Sequence, residues 1–433
     1  MLIWVGLTNN ELTGLNHTGA LQIAPTRGQL RAFQGDSLLF TADSVKVSPG
    51  LVLVAAGKRY QASAPVVFKS DCGRFQITSL RRAGIAQPVY EGNLRVHSAS
   101  RSLRLSLELS LDSYMQGVLA AEMPASYHAE ALKGQALCAR TYALRPRLPH
   151  DQDLVNVCDS YLCCQYFAGH GASLDPRIKA AIEGTAGQVL VHDEKPILAL
   201  FSSNAGGHTE NYENCFSDPV TGAFPPPPLP YLKGVPEGNY PGLKAPVGSE
   251  QFLAYLYSNS GLGTKLCADN WSPKFHFHHR ITADSLEAHL HHNIEKLMDD
   301  RESAPYVVPP AGGGRGRFGH IKRFQVLKRG VSGVAIELAI ETNLGQWRVQ
   351  KELLIRKVFA NPDAGIKRLN SARIFFQQKY DKLGLLAGLE VSGLGFGHGV
   401  GFQQQGAQGL ALAGMNYKQI LSHYFPGARI AQY

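Results

Sequence analysis

The sequence predicts an α+β protein with a β-rich first quarter, a pair of adjoining helices and a return to strands toward its end. Three observations carry that prediction. Short apolar runs between residues 1 and 110 are separated by Gly, Pro, Ser and Asp, the punctuation of strands and turns. Residues 111–145 switch to an apolar period of 3–4 residues, broken once at Met123-Pro124. From Lys322 onward, Phe324-Gln-Val-Leu, Val334-Ala-Ile-Glu-Leu-Ala-Ile and Trp347-Arg-Val are again strand-like.

With 433 residues the chain has room for two to three domains or one elaborated domain. The expected organisation is a β-rich region over 1–89, a core built from 90–216 and 321–433, and an inserted elaboration over 217–320. No run of about 18 apolar residues occurs, so no transmembrane helix is expected. Met1 leads straight into Leu2-Ile3-Trp4-Val5-Gly6-Leu7, read as a first strand. A secretory signal would need a basic start, a longer apolar run and a small-residue cleavage site. The net charge of +9 favours an anionic partner. Zinc-finger spacing, RNP motifs and long basic runs are missing, which argues against nucleic acid.

Taken in order, Leu21-Gln-Ile, Leu30-Arg-Ala-Phe, Leu38-Leu-Phe, Val45-Lys-Val, Leu51-Val-Leu-Val and Val66-Val-Phe are short strands. Tyr90–Val96 and Leu103–Ser110 alternate apolar and polar residues, the mark of a half-buried hairpin feeding the first helix. Pro124 disfavours helical backbone at Met123, which leaves Glu122 in a last helical turn behind Val118, Leu119, Ala120 and Ala121. Apolar neighbours and the negative end of a helix both disfavour a charged carboxylate. Glu122 is therefore a candidate general acid. The plain alternative is a solvated glutamate at a helix end.

The second helix carries Ala129, Leu132, Ala136, Ala139 and Ala143 as a small-residue stripe and should end at Pro146. Lys133 and Arg140 share a face, with Gln135 nearby, and would suit an anion in a groove or simply face water. His150, Cys158, Cys163, Cys164 and His170 follow. Of seven cysteines, three fall within residues 158–164. Such a group can hold zinc, or Cys158 could bridge to one of the other two in an oxidising compartment.

Residues 181–191 run from a helix end into a strand, and Pro196–Tyr212 reads as strand, loop, strand. Ser202, Ser203 and Asn204 offer short polar groups, while Gly206-Gly207 lets backbone approach a ligand, which would suit sugar hydroxyls; a plain Ser/Gly turn is the alternative. Pro225–Pro228 is a stiff loop, and Asp284-Ser-Leu-Glu287 is a capping-box pattern opening a helix to about Met298. Histidines at 276, 278, 279, 289, 291 and 292 lack partners spaced to complete a metal site and read as solvated. The loop Gly312–Gly319 is basic but lacks the Lys-Ser/Thr ending of a phosphate loop. Glycines at 393, 395, 397, 399 and 401 leave one face bare, against which a ligand or another backbone could lie; His398 stands in that track, with Gln404 after it.

Several of these stretches together resemble the SpoIID/LytB family, which contains stage II sporulation protein D and the amidase enhancers. The carriers are Tyr114-Met-Gln-Gly-Val-Leu-Ala-Ala-Glu-Met-Pro124, Glu130-Ala-Leu-Lys-Gly-Gln-Ala136 with Ala139-Arg-Thr-Tyr-Ala143, Ser202–Thr209, Gly395–Ala407 and Tyr417–Gly427. The resemblance covers roughly 90–215 and 320–433. Cys158-Asp-Ser-Tyr-Leu-Cys-Cys-Gln-Tyr166 resembles a family segment from which it departs by one extra cysteine. Some members resemble a zinc site of one His and two Cys there, so zinc at His150, Cys158, Cys163 and Cys164 is expected to be structural and not the catalyst.

The resemblance implies a lytic transglycosylase acting on peptidoglycan glycan strands, with Glu122 as a single general acid and base and no cofactor needed for the chemistry. His398, Gln404, Ser203 and Tyr212 would orient the sugar, with Ser202, Gly206 and Gly207 beside them. Lys133 and Arg140 would meet lactyl carboxylates of peptide-free muramic acid, consistent with the net positive charge. The alternative is a non-catalytic module that enhances a cell-wall amidase. A thiol hydrolase using Cys163 or Cys164 is disfavoured, since no Cys–His–Asn arrangement follows from the spacing. The resemblance also implies action outside the cytoplasmic membrane, with an export segment missing from this chain.

Overall fold

A computed structural model describes residues 1–83, 88–145, 150, 155–171, 173–240, 242–311, 313–314, 316–382 and 384–433. Two compact units divide it: residues 1–198 with 430–433, and residues 199–429. The mixture of helices and several sheets is the α+β class expected from sequence.

In the first unit the strands are β1 (Leu2–Leu7), β2 (Leu21–Pro25), β3 (Leu30–Gln34), β4 (Ser37–Ala42), β5 (Val45–Ser48), β6 (Val52–Ala55), β7 (Lys58–Gln61), β8 (Val66–Ser70), β9 (Arg74–Ile77), β10 (Val89–Glu91), β11 (Asn93–Ala99) and β12 (Ser102–Ser110). With β13 (Val157–Cys158) they form a seven-stranded sheet, β13-β1-β12-β11-β8-β3-β4, and a six-stranded sheet, β10-β9-β2-β5-β6-β7. The boundary expected at residue 89 therefore falls inside both sheets. β11 and β12 pair with each other and also with β8 and β1, so residues 1–89 share one core with the hairpin.

Ser110 ends β12 and caps α1 (Leu111–Glu122), its hydroxyl accepting from the Ser113 N–H. Met123 is extended, which stops α1 where Pro124 requires. α2 (Ala129–Leu144) follows and is buried nearly all round from Ala131 to Ala143, so the expected narrow stripe is a fully enclosed helix. Pro146 lies outside the described residues. α3 (Pro176–Glu183) then leads to β14 (Gln188–His192) and β15 (Lys195–Pro196), which share a small sheet with the C-terminal strand Arg429–Gln432.

The second unit holds β16 (Phe201–Ser202), α4 (Glu250–Ser258), β17 (His276–Thr282), α5 (Ala283–Asp299), β18 (Val307–Val308), β19 (Ile321–Arg329), β20 (Ala335–Thr342), β21 (Gly345–Gln350), α6 (Glu352–Val358), β22 (Arg373–Tyr380), β23 (Leu386–Leu394), β24 (Phe402–Gln403), α7 (Gln404–Leu412) and α8 (Tyr417–Tyr424). β17 pairs along β23 from His276↔Leu394 to Thr282↔Gly388, so part of the 217–320 stretch is a strand of the unit's own β17-β23-β22 sheet. α5 begins one residue before the expected capping box. Glu287 does not close that box, because its carboxylate accepts from the Ile321 N–H at 2.9 Å. Several of the histidines read as solvated instead pair with acids: His289 with Asp363 at 2.9 Å and His291 with Glu295 at 3.1 Å. No helix among the described residues is long and apolar enough to cross a membrane.

Candidate functional site

In the first unit a cavity of about 550 Å³ runs along α1. Gln116, Gly117, Ala120, Ala121 and Met123 form one wall, and Tyr166, Ala168 and His170 another. Glu122 is half-buried beside it, between two lining residues, and its Oε1 accepts a 2.8 Å hydrogen bond from the Tyr166 backbone N–H. Gly117 is required by packing: a Cβ there would lie 2.4 Å from the Phe167 ring. Deeper in the wall, the Ser113 hydroxyl donates to Glu91 at 2.5 Å while His170 Nε2 lies 2.8 Å from the Ser113 carbonyl. Because the Ser113 proton goes to Glu91, this trio is not a nucleophile–base pair.

The cysteine segment is built into the same unit. Asp159 and Arg82 form a fully buried ion pair at 2.6 Å, and Asp159 also accepts from the Thr8 N–H and hydroxyl. Gln165 donates to the Tyr114 hydroxyl on α1 and to the Ala139 carbonyl on α2. The cysteines are in the reduced form, so no disulfide joins Cys158 to its neighbours. The ligand atoms of His150, Cys158, Cys163 and Cys164 lie within 4.8 Å of one another. His150 Nε2 is 3.1 Å from Cys164 Sγ and 3.4 Å from Cys163 Sγ, which is 4.0 Å from Cys164 Sγ. Tetrahedral zinc with three thiolates and one imidazole sets such atoms about 3.5–3.8 Å apart, and the separations here straddle that range, so the four residues can converge on one such ion. The neighbouring Cys163 and Cys164 thiols, with burial, push the Cys158 thiol well above its ordinary range. Four protein donors leave no open position, so the set suits a structural metal and not a catalytic one.

Arg140 departs from expectation. Its guanidinium is 2% exposed and donates to the Thr185 carbonyl at 2.7 Å, the Gln188 carbonyl at 3.1 Å and the Ile182 carbonyl at 3.4 Å. It closes the C-terminal end of α3 and the entry to β14, and does not face a groove. Lys133 is ion-paired with Glu130 at 2.7 Å on α2.

In the second unit the two glycine-bearing motifs meet each other. The backbones of Asn204 and Phe396 exchange hydrogen bonds, and β16 lies parallel to β24 with Ser202 opposite Gln403. A Cβ on Gly206 would lie 2.8 Å from Gly395 N, and one on Gly401 2.3 Å from the Leu200 carbonyl. The protein's own backbone, at Gly395 and Gly401, and side chains, Phe277 at Gly393, Ser202 at Gly397 and Arg373 at Gly399, therefore lie against the bare face of the glycine track. The polar groups expected to meet sugar are engaged internally. Ser202 Oγ donates to Gln403 and accepts from the Gly399 N–H; Asn204 donates to Gln405; the Gly207 N–H goes to Asp269. Gln404 is 8% exposed.

His398 is a fastener in this arrangement. Its Nδ1 accepts from the Val400 N–H at 2.9 Å, so Nε2 carries the proton, and the ring bonds the Phe201 backbone. Burial, then the Arg356 and Arg373 charges, lower it to about 3, which keeps the imidazole neutral. Tyr212 stacks on Phe216, whose ring meets His398 edge-on. Sequence reasoning missed the fully buried Arg373, which bonds Ser332 at 3.1 Å beneath the track. Gly399 is the signal that could have found it, since a Cβ there would meet the guanidinium.

A helix ending in Ala-Glu-Met-Pro, packed with α2 and a thiol-rich loop, defines a SpoIID domain: the family model for stage II sporulation protein, SpoIID, matches residues 99–192. Beyond that domain the chain is similar over most of its length to proteins named for stage II sporulation. It is 25% identical over 368 residues to stage II sporulation protein D of Bacillus subtilis, covering 82% of this chain and 81% of that protein. To the corresponding protein of Bacillus amyloliquefaciens it is 25% identical, over 86% of this chain and 89% of the other. It is 26% identical to the amidase enhancer of Bacillus subtilis over 74% of this chain, a match that spans only 40% of the enhancer. A second model, described as a domain of unknown function, matches residues 310–401.

Proposed function

We propose that the chain is a lytic transglycosylase that cleaves MurNAc–GlcNAc bonds of peptide-denuded glycan strands outside the cytoplasmic membrane. The observation that carries this reading is Glu122, held by the Tyr166 N–H at the end of α1 beside the 550 Å³ cavity. Glu122 donates its proton to the glycosidic oxygen as the C1–O bond breaks. The carboxylate then takes the proton from the muramic C6 hydroxyl as O6 bonds C1, giving a 1,6-anhydro end without water. The Tyr166 N–H fixes the Glu122 carboxyl in place beside the cavity. The SpoIID domain match and the similarity to stage II sporulation protein D support a role at the cell wall.

His150, Cys158, Cys163 and Cys164 hold a structural zinc ion in this reading, and the chemistry needs no cofactor. A second reading has a specific support of its own. The match to an amidase enhancer favours a glycan-binding partner of a cell-wall amidase. Incubation with peptide-free glycan strands, followed by mass spectrometry, separates the two. Anhydro-muramic ends should form with the native chain and fall at least about 100-fold with Glu122→Gln. Absence of such ends, with stimulation of an added amidase, would replace the first reading by the second.

A further inference from the structure

The polar groups of the Ser202–Gly207 loop named above are bonded internally, yet segments packed against that loop display other side chains. Trp271 and Phe396, 37% and 38% exposed, are among the few large aromatics left at the surface. They are tied together through the motif. Trp271 Nε1 donates to the Gln405 carbonyl at 3.0 Å, Gln405 Nε2 donates to Ser203 Oγ at 3.2 Å, and Lys274 Nζ donates to the same oxygen at 3.3 Å. Lys274 Nζ also lies 5.0 Å from the centre of the Phe396 ring. Each part is fixed: the indole by its hydrogen bond, and Phe396 by paired backbone bonds to Asn204. Lys274 is exposed and makes no ion pair among the described residues.

We infer that Trp271, Lys274 and Phe396 form a binding site for a carboxylate-bearing pyranose chain, an inference that rests on the glycan reading above. Aromatic faces held in place attract the C–H faces of sugar rings at little entropic cost, and the indole's only N–H is already engaged. The uncompensated ammonium beside the Phe396 ring selects an acidic sugar over a neutral one. A muramic lactyl group supplies that carboxylate only when no peptide is attached to it. Lys274, and not Arg140, would then distinguish bare strands from peptide-bearing ones.

The test uses the full chain carrying Glu122→Gln, so that ligand persists, and measures affinity for a peptide-free MurNAc–GlcNAc tetrasaccharide and for chitotetraose. The acidic oligomer should bind about 10-fold more tightly at low salt. Lys274→Gln should bring the two affinities together while leaving chitotetraose binding and Tm unchanged. Trp271→Ala and Phe396→Leu should each weaken both ligands about 5–10-fold. A preference for the acidic oligomer that survives Lys274→Gln overturns the site, and so does unchanged affinity in both aromatic variants. Anhydro-end formation by the chain with Glu122 intact is scored separately. Normal cutting with an undiminished preference in Lys274→Gln sinks this site alone, whereas the expected binding pattern without cutting sinks only the transglycosylase.

Discussion

The Tyr166 backbone N–H donates to Glu122 Oε1 across 2.8 Å, and Tyr166 is only two residues beyond Cys164. Between them Gln165 is bonded to both helices, through the Tyr114 hydroxyl and the Ala139 carbonyl. On the other side of the thiols, Asp159 is locked to Arg82 and Thr8. The segment from Asp159 to Tyr166 is thus one clamp. Its fixed ends are a buried ion pair and the candidate catalytic carboxylate, and two of the four candidate metal ligands, Cys163 and Cys164, sit in its middle.

Metal removal should therefore loosen the clamp before it unfolds the unit. The native chain should carry about one zinc ion, and a strong chelator should lower Tm. An ion present at about 1,000 times its dissociation constant contributes about 4 kcal/mol. Cleavage by a protease within residues 159–166 should increase in the chelated protein and in Cys164→Ser. A metal-free native protein, with a Tm indifferent to chelator, would show that the four side chains meet for another reason.

Arg140→Ala should act on stability and not on ligand affinity. The guanidinium serves the Thr185, Gln188 and Ile182 carbonyls inside the unit, and removing it strands buried acceptors at about 1–3 kcal/mol each. A loss of about 3 kcal/mol or more is expected in urea unfolding. A variant as stable as the native chain, with weaker binding of acidic oligosaccharide, would return Arg140 to the groove.

How far the sequence could be read depends on whether a feature is local. Pro124 marks the end of α1 by a steric rule between neighbours, and the alternation in residues 94–110 marks β11 and β12 because a pleat repeats every two residues. β7 and β9 were hidden. Lys58-Arg59-Tyr60-Gln61 is an exposed edge strand with no buried face to declare itself, and Arg74–Ile77 carries only two apolar residues, Phe75 and Ile77, to mark its alternation. The Lys133–Arg140 spacing identified a helix face, but not that the α3 terminus, 45 residues on from Arg140, would lie against it. Likewise the glycine track announced a close approach without naming the partner, Ser202 and its neighbours about 200 residues away. Trp271 and Lys274 formed no pattern at all, since a surface site assembled by tertiary contacts leaves no period in the chain.

Gly399→Ala and Gly414→Ala should separate backbone strain from collision. Both glycines have left-handed φ values, +73° and +95°. A Cβ at 414 meets nothing within 4 Å, so only the conformational cost of about 1–2 kcal/mol applies. At 399 the Cβ would sit 1.7 Å from Arg373 Nη2, a fully buried cation that cannot move without losing its Ser332 bond. A loss beyond about 3 kcal/mol is expected there, measured by denaturant midpoint. Equal losses at the two positions would mean that Arg373 shifts freely.

His398 should make the second unit lose stability as the solution is acidified. Its folded value of about 3 lies below the ordinary value of 6.5, because burial and the Arg356 and Arg373 charges oppose a further positive charge. Between those two values the unfolded chain binds a proton that the folded chain refuses. The stabilising contribution is therefore complete above about pH 6.5 and is lost as pH falls toward 3, by at most about 1.4 kcal/mol per pH unit. His208, lowered by burial, acts in the same direction, while Glu237 and Asp269, raised chiefly by burial, act in the opposite one. A difference curve isolates His398 from all three. His398→Asn keeps an acceptor near the Val400 N–H but cannot titrate, so it should be less stable than the native chain at pH 7.5. The gap should narrow steadily between pH 6.5 and 5. Parallel curves for the two proteins over that interval would show that the imidazole is charged in the folded state, and hence not the neutral fastener between Phe201 and Val400.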